Sequence, residues 1–362
     1  MSRRLNEART PSSRHYGYSS ARVRGMRAHL LKPAMLDKMM EADDVTQLIQ
    51  LLDETDYAQD LDAELIAGRT ADAIDEALKV NIVRTFQKVM NLINDEAFDI
   101  VSTLLGHWDL FNVKSVIRGK HVHLPADQIV ESLYAVGQFT PIELKDLARQ
   151  SDVTAVADTL GTWGAAYARP LRNAMPEYVK DGDLAALELA LDRHYGAWAH
   201  ARLKGKGRRK WMALHLLGVQ IDSTNLLTAL RLLSADMSDI DALRFFLPGG
   251  AVIRQDLFLK LVGMSDIDEV LDALKPTPYG AALDAVGLAY LERSSISVFE
   301  RALEDYVVRK SLAAGLEDPV GVGIVISFLY AKQNEVTNLR IIVKGRSVRM
   351  PAERMRKELI RV

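Results

Sequence analysis

The chain of 362 residues contains no cysteine and only 11 prolines. The absence of cysteine excludes a disulfide scaffold, thiolate zinc sites, iron–sulfur ligation and cysteine nucleophiles. The formal charges nearly cancel, at −2, so no global electrostatic field points to nucleic acid or an anionic membrane. The longest apolar run, residues 320–331, is well short of the roughly 20 residues that span a bilayer. It predicts a helix buried within the protein.

Motifs of catalytic chemistry are also missing. The sequence has no Walker-type phosphate loop, no Gly-x-Gly-x-x-Gly after a strand and no nucleophile elbow. His121 and His123 come closest to a metal-binding pair, but few carboxylates lie near them. The corresponding positions later in the chain are Ser347 and Arg349. We therefore expect a non-catalytic protein with no metal site and no cofactor.

The periodicity of the apolar residues indicates helices. Almost every stretch between prolines carries apolar residues at i, i+3, i+4 and i+7, as Leu48, Leu51 and Leu52 illustrate. No long stretch alternates with the period of two that a half-buried strand requires. The predicted fold class is all-α.

One unit recurs roughly every 113 residues along the chain. Asn112 begins the segment Asn-Val-Lys-Ser-Val-Ile-Arg-Gly-Lys, and Asn338 begins the similar Asn-Leu-Arg-Ile-Ile-Val-Lys-Gly-Arg. Halfway between them, Asn225 begins Asn-Leu-Leu-Thr-Ala-Leu-Arg. The three asparagines either cap helices or make buried structural hydrogen bonds.

Two further blocks recur in the same order and with nearly the same spacing. Each copy has an aspartate that opens a predicted helix, then a tyrosine, then a leucine in an apolar stripe. These residues are Asp44, Asp152 and Asp266; Tyr57, Tyr167 and Tyr279; and Leu78, Leu191 and Leu303. The tyrosines are interpreted as core residues. Three independent blocks in one order predict three homologous helical domains.

The repeat also sets the predicted domain boundaries. Residues 1–17 form an arginine-rich mobile tail that could touch a partner, and the three helical repeats cover residues 18–137, 138–249 and 250–362. Glycine and proline at the two joints, residues 137–141 and 248–250, are typical of turns.

The corner after each recurring asparagine has the chemistry of a helix end. Gly119 and Gly345 follow a basic residue and are predicted to take the left-handed conformation that terminates a helix. Pro125 and Pro351 are predicted to be the first residues of the next helix. The second copy has a leucine, residue 232, and a serine, residue 238, at these positions, so its turn must differ.

The same corners carry five basic residues that form the candidate partner interface: Arg118, Lys120, Arg231, Lys344 and Arg346. Some of these cations would offset the negative ends of helix dipoles. If the copies are related by a pseudo-threefold axis, the five residues would gather into a basic ring that meets a partner. A second basic run, residues 204–210, is either a solvated loop or a contact with an acidic partner or lipid headgroups.

Several segments of the chain resemble the C subunits of A/V-type (archaeal-type) rotary ATP synthases, which are related to the d subunit of the vacuolar ATPase. The segments are residues 21–31, 39–57, 112–120, 246–250 and 338–346. The resemblance covers essentially the whole chain from position 18 onward, and its specificity lies in the combination of these segments.

The resemblance implies a three-lobed helical funnel in the central rotor, with its copies around a pseudo-threefold axis. One face would seat the shaft subunits D and F, and the other would sit on the cytoplasmic side of the membrane proteolipid ring. Such a subunit passes torque during proton or sodium transport without hydrolysing ATP, and is a peripheral protein of the cell membrane. The alternatives are a generic helical adaptor of another complex and a nucleic-acid binder; the near-neutral net charge disfavours the latter.

Overall fold

The computed structural model describes residues 14–68, 70–235, 241–293 and 295–361, and all regular structure in these ranges is helical. The predicted all-α class is confirmed. The first helix, α1 (Arg14–Arg27), begins four positions before the predicted boundary between the tail and the first repeat. Residues 1–13 lie outside the described ranges. The apolar run at 320–331 leads into a buried helix, as predicted.

The helices after α1 repeat in one order in the three copies. The first copy contains α2 (Pro33–Glu41), α3 (Val45–Asp53), α4 (Ala58–Glu64), a 3-10 turn (Leu65–Ala67), α5 (Ala71–Met90), α6 (Asp95–His121) and α7 (Ala126–Glu131). The second contains α8 (Pro141–Ala148), α9 (Val153–Thr162), α10 (Ala168–Asp181), α11 (Ala185–Leu203), α12 (Arg208–Ser234) and a 3-10 helix (Ala242–Phe245). The third contains α13 (Gln255–Val262), α14 (Ile267–Leu274), α15 (Gly280–Asp284), α16 (Gly287–Arg293), α17 (Ser297–Glu317), α18 (Val322–Ser347) and α19 (Ala352–Glu358).

The recurring aspartates begin helices, as the sequence predicts. Each is the N-cap residue of its helix, and its carboxylate accepts a hydrogen bond from the backbone N–H at position i+3. The pairs are Asp44 with Gln47 at 2.9 Å, Asp152 with Ala155 at 2.8 Å, and Asp266 with Glu269 at 2.9 Å. A short helix therefore starts at the same point of each copy.

The prediction that Gly119 and Gly345 take the left-handed conformation is wrong. Both glycines lie inside long helices, α6 and α18, which continue past them. The left-handed residues are His123, with φ 56°, and Arg349, with φ 55°. The turn closes with a hydrogen bond of 2.8 Å from the backbone N–H of Leu124 to the carbonyl of Gly119. Residues 350 and 345 form the same bond in the third copy.

These glycines instead permit close packing of the next helix. An ideal Cβ on Gly119 would lie 2.5 Å from Cγ1 of Ile129 on α7. A Cβ on Gly345 would overlap the side chain of Met355 on α19. Both contacts are closer than carbon atoms tolerate, so a glycine is needed where α7 and α19 cross the long helices.

The prolines and the second copy differ from expectation in smaller ways. Pro125 and Pro351 are N-cap residues, one position before the first helical residue, whereas the sequence predicts that they are themselves the first helical residues. In the second copy, Leu232 is buried near the end of α12. Ser238 lies outside the described residues.

Three clusters of buried apolar side chains form the core. The largest joins α1 to α5 with the first halves of α6 and α12 and with most of α18. The second cluster spans residues 113–191, and the third spans residues 219–303. Each of these two combines the second half of a long helix with the short helices of the following copy. The cores therefore straddle the predicted joints, and the domain boundaries stay a prediction from the repeat.

Substitution of Gly119 tests the packing explanation against a matched glycine. Gly119→Ala places a Cβ against Ile129, and we expect it to lower the free energy of unfolding by about 1–3 kcal/mol. Gly25 also lies in a helix, but a Cβ there meets nothing within 4 Å. Gly25→Ala should therefore raise the free energy of unfolding by up to about 1 kcal/mol. Urea unfolding measures both, and shifts in the same direction would contradict the explanation.

Candidate functional site at the junction of the three long helices

The three long helices, α6, α12 and α18, meet at equivalent positions. His107, Gln220 and Gln333, which are one repeat apart in sequence, line one cavity of about 290 Å³. The Gln220 amide donates a hydrogen bond to the hydroxyl of Tyr330, which joins α12 to α18. Helix α6 packs against both of the other long helices. Burial lowers the pKa of His107, which favours its neutral form at this junction.

Each recurring asparagine is fully paired with the backbone. Its side-chain oxygen accepts from, and its side-chain nitrogen donates to, the same residue at position i+22. The pairs are Asn112 with Tyr134, Asn225 with Leu247, and Asn338 with Ile360, at donor–acceptor distances from 2.6 to 3.1 Å. The asparagines lie in the middle of helices and are buried, so the interpretation as buried hydrogen bonds is confirmed and capping is wrong.

A buried acid lies at position i−3 from each asparagine and binds the joint to the next copy. Asp109 accepts from the backbone N–H of Gln138 at 2.8 Å. Asp222 accepts from the backbone N–H of Val252 at 2.7 Å. A Cβ on Gly250 would overlap the Asp222 carboxylate, which explains the glycine at that joint. These acids hold the chain where one copy passes into the next.

In the third copy the corresponding acid, Glu335, binds the beginning of the chain. Its carboxylate accepts from the backbone N–H of Leu31 and, at 2.8 Å, from the hydroxyl of Tyr57. Arg361 near the chain end also pairs with Asp37 of α2 at 2.6 Å. The third copy thus contacts the first as each earlier copy contacts the next, and the contacts close the series into a cycle.

The recurring tyrosines take part in the same joints. The hydroxyl of Tyr279 donates to Asp222 at 2.7 Å, and that of Tyr167 donates to the carbonyl of Gly106 at 3.2 Å. The prediction that the three tyrosines are core residues is confirmed, since each is at least nine-tenths buried. Burial raises the pKa of all three phenols, Tyr57 included, and keeps them neutral donors.

Ion pairs join the end of each long helix to the start of a helix in the following copy. The pairs are Arg118 with Glu188 at 2.5 Å, Arg231 with Glu300 at 3.0 Å, and Arg340 with Asp75 at 2.6 Å. They connect α6 to α11, α12 to α17, and α18 to α5. The acids lie near the N-terminal ends of α11, α17 and α5, so those ends adjoin the C-terminal parts of the long helices.

The five predicted interface residues have different environments. Arg118 and Arg231 are exposed but engaged in the ion pairs above, and Lys120 is buried. Arg346 donates to the backbone carbonyls of Met350 at 3.2 Å, Asp43 at 3.3 Å and Met40 at 3.4 Å. Lys344 is exposed. Within the described ranges, no hydrogen bond or ion pair joins any two of the five.

The two histidines that most resembled a metal pair are separated by their environments. The His121 ring lies 3.1 Å from the Tyr178 hydroxyl, whereas His123 occupies the left-handed turn. Among the residues that the structure describes, no group of three or more His, Asp or Glu side chains could hold a metal ion. None of the helices in these ranges is both long and apolar enough to span a membrane.

Comparison with known proteins finds sequence similarity along almost the whole chain. The model of the ATP synthase (C/AC39) subunit family matches residues 19–358. The chain belongs to this family. It is 30% identical over 348 residues to the C subunit of the V-type ATP synthase of Deinococcus radiodurans, covering 95% of this chain and 91% of the relative. It is 30% identical over 349 residues to the C subunit of the A-type ATP synthase of Methanothermobacter thermautotrophicus, covering 95% and 87%.

A third relative of this family is the C subunit of the A-type ATP synthase of Methanocaldococcus jannaschii. It is 27% identical over 345 residues, which cover 95% of this chain and 86% of the relative. These matches confirm the resemblance that the recurring segments indicated. The chain with the repeated helices described above is therefore a member of this family.

Sequence reasoning missed the polar residues that make the joints. Asp109 and Asp222 are one repeat apart, as are His107 and Gln220, so the repeat could have revealed both pairs. Glu335 was harder to find because its longer side chain reaches the first copy rather than a following joint. Only the folded chain shows that contact.

The pH dependence of stability tests the buried acid of the first joint. Burial raises the pKa of Asp109 to about 6, although the N–H groups of Gln138 and Phe139 offset part of the effect. The unfolded value is about 3.9. This carboxyl therefore contributes stability that is fully present below pH about 4 and is lost as the pH rises through about 6.

We expect Asp109→Asn, which cannot ionise, to remove this contribution. Between pH 7 and pH 5 the wild-type chain should gain about 1 kcal/mol of unfolding free energy relative to the variant. Urea unfolding at several pH values measures the difference, and Asp158→Asn at an exposed position is the control. A difference that stays constant between pH 7 and pH 5 would contradict the assignment.

Proposed function

We propose that this chain is a non-catalytic central-stalk subunit of an A/V-type rotary ATP synthase. In this role it couples the shaft subunits D and F to the membrane proteolipid ring and transmits torque during proton or sodium transport. It is held at the cytoplasmic side of the cell membrane as a peripheral protein. The observation that carries the proposal is the family match over residues 19–358, together with relatives that are named as C subunits of ATP synthases.

The closed series of contacts supports a three-lobed funnel around a pseudo-threefold axis. His107, Gln220 and Gln333 come from equivalent positions of the three copies and line one cavity. Equivalent residues meet at one point when the copies surround a common axis. The axis would pass through this cavity, which is proposed to receive groups from the end of the shaft.

A torque coupler must not shear between its lobes, and the joints provide that resistance. Each copy is fixed to the next by a buried acid, by a buried tyrosine and by an interhelical ion pair. Breaking any one of the buried bonds would leave a desolvated polar group, which costs about 1–3 kcal/mol. Because the third copy is tied to the first, a twist applied to one lobe is shared by all three.

We infer that exposed apolar residues share one end of the molecule with the predicted basic residues. Ile66, Val179 and Leu291 are 89%, 70% and 63% exposed, and each lies at or near the end of a helical segment just before α5, α11 or α17. To within a single position they are one repeat apart in sequence, as are the core leucines 78, 191 and 303. The ion pairs above place the starts of these three helices beside the C-terminal parts of the long helices.

We name this end the corner face. It consists of Ile66, Val179 and Leu291 with the five residues Arg118, Lys120, Arg231, Lys344 and Arg346, of which Lys120 lies buried beneath the surface. Apolar residues with exposed side chains surrounded by polar groups are typical of protein interfaces. The corner face is therefore proposed to contact one of the two rotor partners, with its apolar residues as the principal contacts and the exposed Lys344 at the rim.

Co-purification tests the proposed function. A tagged full-length chain, purified from membranes in mild detergent, should recover the D and F subunits and the proteolipid. Recovery of the chain without any other part of an ATP synthase would overturn the proposal. The same experiment on variants tests the corner face separately.

The corner variant carries Ile66→Ser, Val179→Ser and Leu291→Ser, and its control carries the changes Val80→Ser, Ile142→Ser and Leu259→Ser at other exposed apolar positions. We expect the corner variant to lose at least one partner by tenfold or more, because the apolar contacts are gone. The control should retain all partners. Equal recovery with both variants would remove the corner face from the proposal while leaving the function intact.

A further inference from the structure

The turn between α11 and α12 carries the densest positive charge of the described chain. Five of the seven positions from 204 to 210 are basic: Lys204, Lys206, Arg208, Arg209 and Lys210. The whole chain has a formal charge of −2, so the remaining residues together carry −7. The concentration of charge at this turn is therefore opposite in sign to the rest of the molecule. We name residues 204–211 the basic turn.

Four of the five cations have no acidic partner among the described residues. Only Arg209 forms ion pairs, with Asp318 at 3.3 Å and with Glu96 at 3.7 Å. Lys204, Lys206 and Arg208 are exposed, and Lys210 is half-buried. The turn thus presents positive charge to its surroundings that no neighbouring carboxylate of the described ranges neutralises.

Arg209 anchors the basic turn to three other segments. Its ion pairs reach the start of α6 and the link between α17 and α18, and its guanidinium lies 4.2 Å from the ring centroid of Tyr16 on α1. These contacts fix the position of the basic turn relative to the other three segments. The cations that flank Arg209 are therefore attached to a well-fixed part of the backbone.

An exposed indole lies at the edge of the same surface. Trp211 is 60% exposed, and its ring stacks on His215 with centroids 5.6 Å apart and planes 3° apart. Tyr18 on α1 and Val320 beside Asp318 are also exposed, at 64% and 55%. Unpaired cations together with an exposed tryptophan are the combination found where proteins contact the membrane–water interface.

We propose that the basic turn binds the anionic headgroups of a lipid bilayer, with Trp211 at the interfacial level. The cations form a compact patch in the link between α11 and α12 and in the first turn of α12, which suits a planar surface better than an extended nucleic-acid strand. Each cation near an anionic bilayer strengthens binding roughly fivefold, so four unpaired cations supply several hundredfold. The contact is electrostatic and weakens as salt is added.

This contact would also orient the molecule, a step that rests on the proposed function. Trp211 and Arg231 both lie on α12, and the helical stretch between them corresponds to about 30 Å. With the basic turn on the membrane, the corner face points away from the bilayer. The corner face would then meet the shaft, and the ring would lie at the end that carries the basic turn.

Sedimentation with vesicles tests the proposal on the full-length chain. We expect binding to phosphatidylcholine vesicles that contain one-fifth phosphatidylglycerol, and little binding to phosphatidylcholine alone. The variant Lys204→Gln, Lys206→Gln, Arg208→Gln, Lys210→Gln should bind the anionic vesicles at least a hundredfold less. The control variant changes four other exposed cations to glutamine, at Lys38, Lys145, Arg254 and Lys260, and should bind within threefold of wild type.

Two further variants sharpen the result. Changing Arg3, Arg4 and Arg9 to glutamine measures the share of the N-terminal arginines, and the proposal requires most of the binding to survive this change. Trp211→Phe should abolish the blue shift of tryptophan emission that anionic vesicles induce, while binding persists. A blue shift of unchanged size in Trp211→Phe would contradict the placement of the indole.

The proposal is overturned if wild type does not bind anionic vesicles or if the two fourfold-substituted variants lose binding equally. It is likewise overturned if a single-stranded oligonucleotide or polyglutamate, at equal charge concentration, binds the basic turn more tightly than the vesicles do.

Co-purification of the basic-turn variant with the ATP synthase distinguishes the lipid-binding proposal from the proposed function. Loss of lipid binding with intact co-purification leaves the proposed function standing, and absence of other ATP synthase components with the wild-type chain refutes that function alone.

Discussion

The architecture depends on one interaction made three times, the pairing of a buried asparagine side chain with the backbone at position i+22. A primary amide offers a donor and an acceptor in fixed geometry, and a single extended residue offers the complementary pair. Loss of either partner would leave buried polar groups without hydrogen bonds, at a cost of about 1–3 kcal/mol each. Asn112, Asn225 and Asn338 therefore fix the path of the chain after every long helix.

The same long helices carry the groups that fix the next copy. The acid one turn before each asparagine binds the next joint, and in the third copy Glu335 binds Leu31 and Tyr57 near the start of the chain. A linear array of helical repeats would leave its terminal units with only one neighbour. Here the first and third copies contact each other, and the first halves of all three long helices share one apolar core.

The sequence predicted the helical class, the repeat and the burial of the tyrosines because each leaves a periodic signature in one dimension. It did not predict the role of Gly119, because a glycine after a cation has the same signature whether it ends a helix or makes room for Ile129. Histidine tolerates the left-handed conformation better than most residues, so α6 could end at His121 with His123 completing the turn. The residues that close the cycle could not be read from the repeat, since Glu335 and Leu31 are separated by about 300 positions.

A body of three copies that are tied in a cycle by buried hydrogen bonds is suited to transmit force between partners. This is the central claim of the proposed function, and coupling in the assembled enzyme tests it most directly. ATP hydrolysis and ATP-driven ion transport should be measured on the same membrane vesicles, prepared with and without this chain. The account predicts that without the chain hydrolysis persists while transport falls to background, and that adding the purified chain restores transport. Transport that continues undiminished without the chain would contradict it.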